Sequence, residues 1–215
     1  MKNSSKTPKK SPKMGHFFPT FNLRVVTTLF TLLLMLGTTN SLIAQKFNGV
    51  ELNQNYQIVI NQFIAKGWVQ TQKESQYTTL KGKILNEEVS LTIYSTLTSR
   101  KTRKIVLFYL SQTSWNGALS LYNKKVETIT EKYGKQSNIY EEFYDPYYLG
   151  DGYELQAFDH DKCQWIRIWT DMPEYPNLNI AVEIGKSAMV MVTYEVISNM
   201  ELHQRELKTA QQDVY

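Results

Sequence analysis

The chain has 215 residues, 42% of them hydrophobic and 20% charged, with a formal charge of +4 and a single cysteine, Cys163. One cysteine excludes an intramolecular disulfide framework, so the fold must stand on its own hydrophobic core, and at this length about two-thirds of the unfolded surface can be buried in one domain. The positive balance is confined to the first 44 residues, which hold six of the 24 Lys and Arg and no acidic residue; the remaining 18 against 20 acidic residues leave a net charge near −2, and only 99–104, SRKTRK, is a basic cluster, so nucleic acid is excluded as a partner.

The N-terminal stretch has the pattern of an export signal. Lys2, Lys6, Lys9, Lys10, Lys13 and Arg24 precede the apolar run VVTTLFTLLLML, followed by GTTNS and LIA. A run of twelve residues, nine of them apolar, falls short of the about 20 that cross a bilayer. Ala44 suits a peptidase cut before Gln45, Leu42 is a less usual residue at its position, and Met14 is an alternative start. The expectation is a signal peptide over 1–44, a periplasmic or secreted mature chain, and no membrane span after removal of the signal; an uncleaved anchor is the other reading. No cysteine follows the apolar run, which excludes a lipoprotein.

Beyond residue 45 the pattern gives a helix, several strands, a second helix and more strands. In NYQIVINQFIAKG, Tyr56, Val59, Ile60, Phe63 and Ile64 share one helical face, Asn53 or Asn55 can cap the start, and Gly67 stops it. In the second helix Trp115, Leu119, Tyr122, Val126, Ile129 and Tyr133 recur at spacings of three and four, with Thr113 or Ser114 as cap and Gly134 as left-handed terminator. A stripe of this kind is core, and no cofactor is expected from it.

After each helix the period switches to two. YTTLKGKIL, VSLTIYS and KIVLFYL follow the first; YELQAFD, CQWIRIWTD, LNIAVEI and AMVMVTYEVI follow the second. Matching Leu91 and Ile93 to Ile166 and Ile168, and Val106 and Phe108 to Ile180 and Val182, predicts an α+β domain built as a duplicated unit. Each unit has one helix plus antiparallel strands, with two helices packed on curved antiparallel sheet, over repeats of about 46–111 and 112–197 and a polar tail over 198–215.

HDKC, at 160–163, then occupies the position of LNEE at 85–88, a turn between two strands. A two-residue loop there would set His160 and Cys163 about 5 Å apart at Cβ, which keeps a hydrolase or thiol enzyme as the alternative function. A hairpin tip offers neither an orienting group nor an oxyanion donor, and zinc would need ligands beyond His160, Cys163 and the distant His203. No catalytic residue and no metal site are assigned. Neither a Gly-x-Ser-x-Gly elbow, a phosphate-binding loop nor His-Glu-x-x-His occurs. Glu141 and Glu142 are adjacent on a strand and point to opposite faces, which is wrong for paired-carboxylate chemistry.

Two surfaces remain as candidates. If Ile166 and Ile168 face the core, Trp165, Arg167 and Trp169 share the other face, with Tyr94 as the first-half counterpart of Trp169. That composition suits a binding hot spot, or else a second core covered by another segment. The stretch YDPYYLGDGY, with Tyr144, Tyr147 and Tyr148, has the chemistry of a binding loop, or of an insertion packed on the neighbouring sheet.

The segment KFNGVELNQNYQIVINQFIAKGW, with Phe47, Gly49, Val50, Lys66, Gly67 and Trp68, resembles the start of a group of uncharacterised exported proteins of Gram-negative gut anaerobes. SWNGALSLYNKKVETITEKYG is similar to that group's second helix. The resemblance implies export and architecture, and transfers no site. Tandem helix-plus-sheet units also resemble, in fold alone, exported β-lactamase inhibitor proteins. The function expected is a non-catalytic binding or inhibitor-like module acting on an envelope or extracellular protein or glycan.

Overall fold

The computed structural model describes residues 45–212; the expected leader, on 1–44, lies outside the described residues. Local chemistry sets the helix ends. Helix α1, Tyr56–Ala65, starts where the Asn55 side chain accepts a hydrogen bond from the Gln57 amide and stops before Gly67, whose φ of 87° few residues other than glycine adopt. Helix α2, Trp115–Tyr133, starts at Ser114, whose Oγ accepts from the Gly117 amide, and ends at Gly134 with φ 83°. Both helices bury the stripe their spacing predicts, except that Ile64 lies exposed.

A short ribbon of β1, Lys46–Phe47, and β2, Val50–Glu51, precedes α1. Four strands follow it: β3, Val69–Lys73; β4, Tyr77–Ile84; β5, Glu87–Ser95; and β6, Thr102–Tyr109. After α2 come β7, Asn138–Phe143; β8, Cys163–Trp169; β9, Leu178–Gly185; and β10, Met189–Val196. Helix α3, Glu154–Asp159, interrupts β7 and β8, and helix α4, Ile197–Gln212, closes the described chain.

Strands β3 to β10 form one antiparallel sheet in the order β3-β4-β5-β6-β10-β9-β8-β7. Each half is thus a helix followed by a four-strand meander, and the halves meet where β6 pairs with β10. The class is α+β, as the pattern predicts. The β4–β5 hairpin turns on Leu85 and Asn86, both at positive φ, the two-residue geometry that matches strand twist.

Strand alternation sorts side chains onto two faces. One carries Leu80, Leu91, Ile105, Leu107, Val192, Val182 and Trp169, all buried in a single cluster with Val59, Ile60 and Phe63 of α1 and Tyr122 and Val126 of α2. Burying each such side chain is worth about 1.5–3 kcal/mol, which holds both helices on this face. Gly82 belongs to it too: a Cβ there would stand 2.3 Å from the Trp68 ring, so only glycine lets the indole lie on β4. Val106, in an alternate position, is equally buried yet lies outside the cluster, because it points the other way.

Three expectations are corrected. YELQAFD forms no strand: Glu154–Asp159 is the single-turn helix α3, burying Ala157 and Phe158. Over six residues the alternation of Tyr153, Leu155 and Ala157 cannot be told from a helical face. HDKC is therefore no hairpin but the link from α3 to β8, with Asp161 at φ 54°. The polar tail over 198–215 is, as far as Gln212, the helix α4, which buries Asn199 and His203 against the start of β6 and holds Glu206 on the Thr98 and Ser99 amides.

Candidate functional site

The loss of that strand moves the aromatic face. Strand β8 corresponds in meander order to β4, not to β5, so the match of Ile166 and Ile168 to Leu91 and Ile93 fails. A shift of one residue in such a match inverts every side chain. Trp165 pairs with Glu141 and Trp169 with Ile180, on the helix side; they are 8% and 0% exposed. The Trp165 ring meets Trp115 edge-on at 5.0 Å and Phe143 at 5.4 Å, while Trp169 Nε1 donates to the Gly134 carbonyl, 2.8 Å away, tying β8 to the end of α2. Of the two readings of these tryptophans, exposed hot spot or covered core, they take the second.

Arg167 shares their face and is equally committed. Its Nε and Nη2 donate to the two Glu141 oxygens at 2.6 and 3.2 Å, and the Tyr122 hydroxyl donates to Glu141 Oε1 at 2.9 Å. Burial, and then the carboxylate it donates to, pushes the Tyr122 hydroxyl far above the usual phenol range. This network joins α2, β7 and β8. Tyr94 sits on the opposite face, in contact with Tyr77 at 5.7 Å and beneath the Arg103 and Lys104 cations.

His160 and Cys163 are engaged separately. His160 caps α3 and its ring stacks on Tyr147 at 6.3 Å, and among the described residues no hydrogen bond joins it to Cys163. Burial and then the Asp161 carboxylate push the Cys163 thiol up to about 12, the reverse of what a nucleophile requires. Among the described residues no group of three or more His, Cys, Asp or Glu is arranged to hold a metal ion, and no helix is long and apolar enough to cross a membrane.

The tyrosine loop is exposed and internally braced. The Asp151 carboxylate accepts from the amides of Tyr148, at 3.0 Å, and Tyr153, at 2.7 Å; buried Glu154 accepts from the Gly150 amide at 2.9 Å. Tyr148, Leu149 and Tyr153 face solvent, and the Tyr144 hydroxyl donates to Glu142 Oε1 at 2.8 Å. Of the candidate tyrosines, Tyr144 and Tyr148 are presented outward, whereas Tyr147 packs on His160.

The largest unclaimed surface is the sheet face away from α1 and α2. Pairing places Lys81, Ser90, Phe108, Met191, Glu183 and Ile166 in one row across it, and Thr79, Thr92, Val106, Thr193, Ala181 and Ile168 in the next. None belongs to the helix-side core. Solvent-facing strand positions are usually polar; here the middle strands present Phe108, Met191, Ala181, Ile166 and Ile168, all half-buried by their neighbours alone. Charge is unevenly spread as well: β4 contributes Lys81 and Lys83, with Glu88 of β5 opposite Lys83, and β6 contributes Lys104, whereas β7, β9 and β10 place only Glu142, Glu183 and Glu195 there.

Two cavities border this face. A larger one, about 560 Å³, opens at the β3–β4 edge beside Trp68, with Lys66, Lys81 and Lys83 around it. A smaller one, about 260 Å³, lies on the strands themselves, between Lys104 of β6, Ile168 of β8, Asn179, Ala181 and Glu183 of β9, and Thr193 and Glu195 of β10. Sequence reasoning missed this face because it followed the tryptophans. The available signal was the run of out-facing apolar residues in IRI, NIAVEI and MVMVT, which becomes visible only with the strand register in hand. No family model, curated protein or solved structure matches the chain.

Proposed function

We propose that this is an exported, non-catalytic binding module whose docking surface is the sheet face opposite α1 and α2, and that its partner is a protein outside the cytoplasm. The carrying observation is a half-apolar sheet face opposite α1 and α2, with lysines on β4 and β6 and only glutamates on β7, β9 and β10. Scale supports a protein over a glycan. Eight strands at about 4.8 Å and seven residues at about 3.4 Å span roughly 34 by 24 Å, about the 800 Å² per partner of a standard interface. The apolar middle supplies the buried centre and the charges a register, so the partner is expected to be acidic opposite β4 and basic opposite β9 and β10. The exposed Tyr144 and Tyr148 extend the surface at the β7 edge. The basic and then apolar stretch over 1–44 supports export.

The test is comparative capture from envelope extract by immobilised protein beginning at Gln45. Wild type and Tyr147→Ala should retain the same salt-sensitive species, and Ile168→Arg should lose it while its melting temperature holds. Identical capture by Ile168→Arg would refute the reading. N-terminal mass spectrometry of the native protein checks the cut before Gln45.

A further inference from the structure

Glu183 is a half-buried carboxylate on the open face that, among the described residues, makes no salt bridge. It sits between Met191 and Ile166 in its row, and both neighbours strip it of water. Glu195, two strand positions beyond Thr193 on β10, has Lys104 Nζ at 4.0 Å. Among the described residues no donor hydrogen-bonds the Glu183 carboxylate, and Lys104 acts on it only through space. Desolvation accordingly holds its carboxyl above the usual glutamate range. A half-buried carboxylate in this condition costs free energy unless a cation arrives to pair with it.

The adjoining depression has the shape and lining for that cation. Ile168 and Ala181 give it an apolar wall, Asn179 and Thr193 offer an amide and a hydroxyl, Lys104 stands with Glu195 at one side, and Glu183 at the other is left for the incoming cation. Its volume of about 260 Å³ fits one long side chain, and no polyvalent ligand set is present. We propose that this depression is the anchor pocket of the docking face and takes a lysine or arginine side chain from the partner, its stem against Ile168 and Ala181 and its cation on Glu183. The proposal rests on the docking reading above and specifies the chemistry of its centre. Displacement of water from a carboxylate already poor in water makes the pairing stronger than one at an exposed rim, and a guanidinium can meet Glu183 and the Asn179 amide oxygen together.

Ethylguanidinium, as the chloride, serves as the probe, followed through backbone amide shifts at constant ionic strength. Saturable shifts at Ala181, Thr193 and Ile168, with a dissociation constant in the millimolar range, are expected, with no matching response to acetate. Glu183→Gln, which keeps the side-chain shape, should weaken the probe about tenfold, as loss of a charge-assisted hydrogen bond does. Ala181→Leu should exclude the probe with the carboxylate intact, so a folding defect in one variant cannot decide the matter. Shifts that never saturate, or that survive both substitutions, overturn the pocket. If the pocket fails while Ile168→Arg still abolishes capture, the docking face stands without this anchor. If the probe binds but capture ignores Ile168→Arg, the docking reading falls, and the partner's basic side chain with it.

Discussion

The two halves share a plan and differ in what fills it. The first packs α1 on β3–β6 with Val59, Ile60, Phe63, Leu80, Leu91, Ile93, Ile105 and Leu107, mostly aliphatic and fully buried. The second packs α2 and α3 on β7–β10 with Ile180, Val182, Val190 and Val192 and, at one end, a cluster of four rings, Trp115, Phe143, Phe158 and Trp165, meeting edge-on or tilted at 5.0 to 6.3 Å. A meander constrains strand order and parity, not side-chain type. A large residue in one half therefore gives no guide to the face of its counterpart in the other.

The indoles of β8 carry much of the second half's core, and replacing Trp165 and Trp169 together by Ser tests that most severely. Each large buried aromatic removed costs about 3–5 kcal/mol, so the double variant should lose most of a typical domain's stability. A melt within two or three degrees of wild type would mean that the indoles carry no core. The first half breaks by the opposite route, through addition of atoms. Gly82→Ala drives a methyl group into the Trp68 ring and should cost about 1–3 kcal/mol, read as an earlier denaturation midpoint at unchanged slope. An unchanged midpoint would show that Trp68 has room to move.

The open face sharpens the contrast in charge. Because burial raises the Glu183 carboxyl above its unfolded value, the folded state holds that proton more tightly. The resulting stability is complete below the usual glutamate range and is lost as pH rises through the folded value. Glu183→Gln should therefore melt above wild type near neutral pH and match it near pH 4. The smallest effect belongs to Cys163. With its thiol near 12, about one molecule in 10⁴ is thiolate at pH 8, so iodoacetamide should label the folded protein far more slowly than the urea-unfolded chain.

What the sequence made legible follows from local physics. Asn55, Ser114, Gly67 and Gly134 mark helix ends through groups that act within four residues, and β4, β5, β6, β9 and β10 show in plain alternation. Strand β3, VQTQK, leaves almost no trace because it is an exposed edge with every side chain in water. Helix α3 is one turn long, below the length at which periods of two and 3.6 separate. The site was hidden for a different reason. Glu183, Ile168, Thr193 and Lys104 come from four strands, and only the register across β6, β10, β9 and β8 sets them around one depression.

The pairing of β6 with β10 also bears on how the chain reaches this state. Every other neighbour in the large sheet follows its partner directly in the chain, whereas residues paired across this seam lie about 80 positions apart, as Met191 and Phe108 do. Loop closure of that size carries most of the entropic cost of the topology, and each meander can form from local contacts before it is met. The Phe47 ring on Tyr194 and the Asn199 amide on the Thr102 carbonyl bind the two sides once they touch. The seam is thus the late, slow step, and at high concentration the one place where β10 of one molecule can pair with β6 of another. Refolding yield should fall with protein concentration there first, through exchanged halves that keep every native contact.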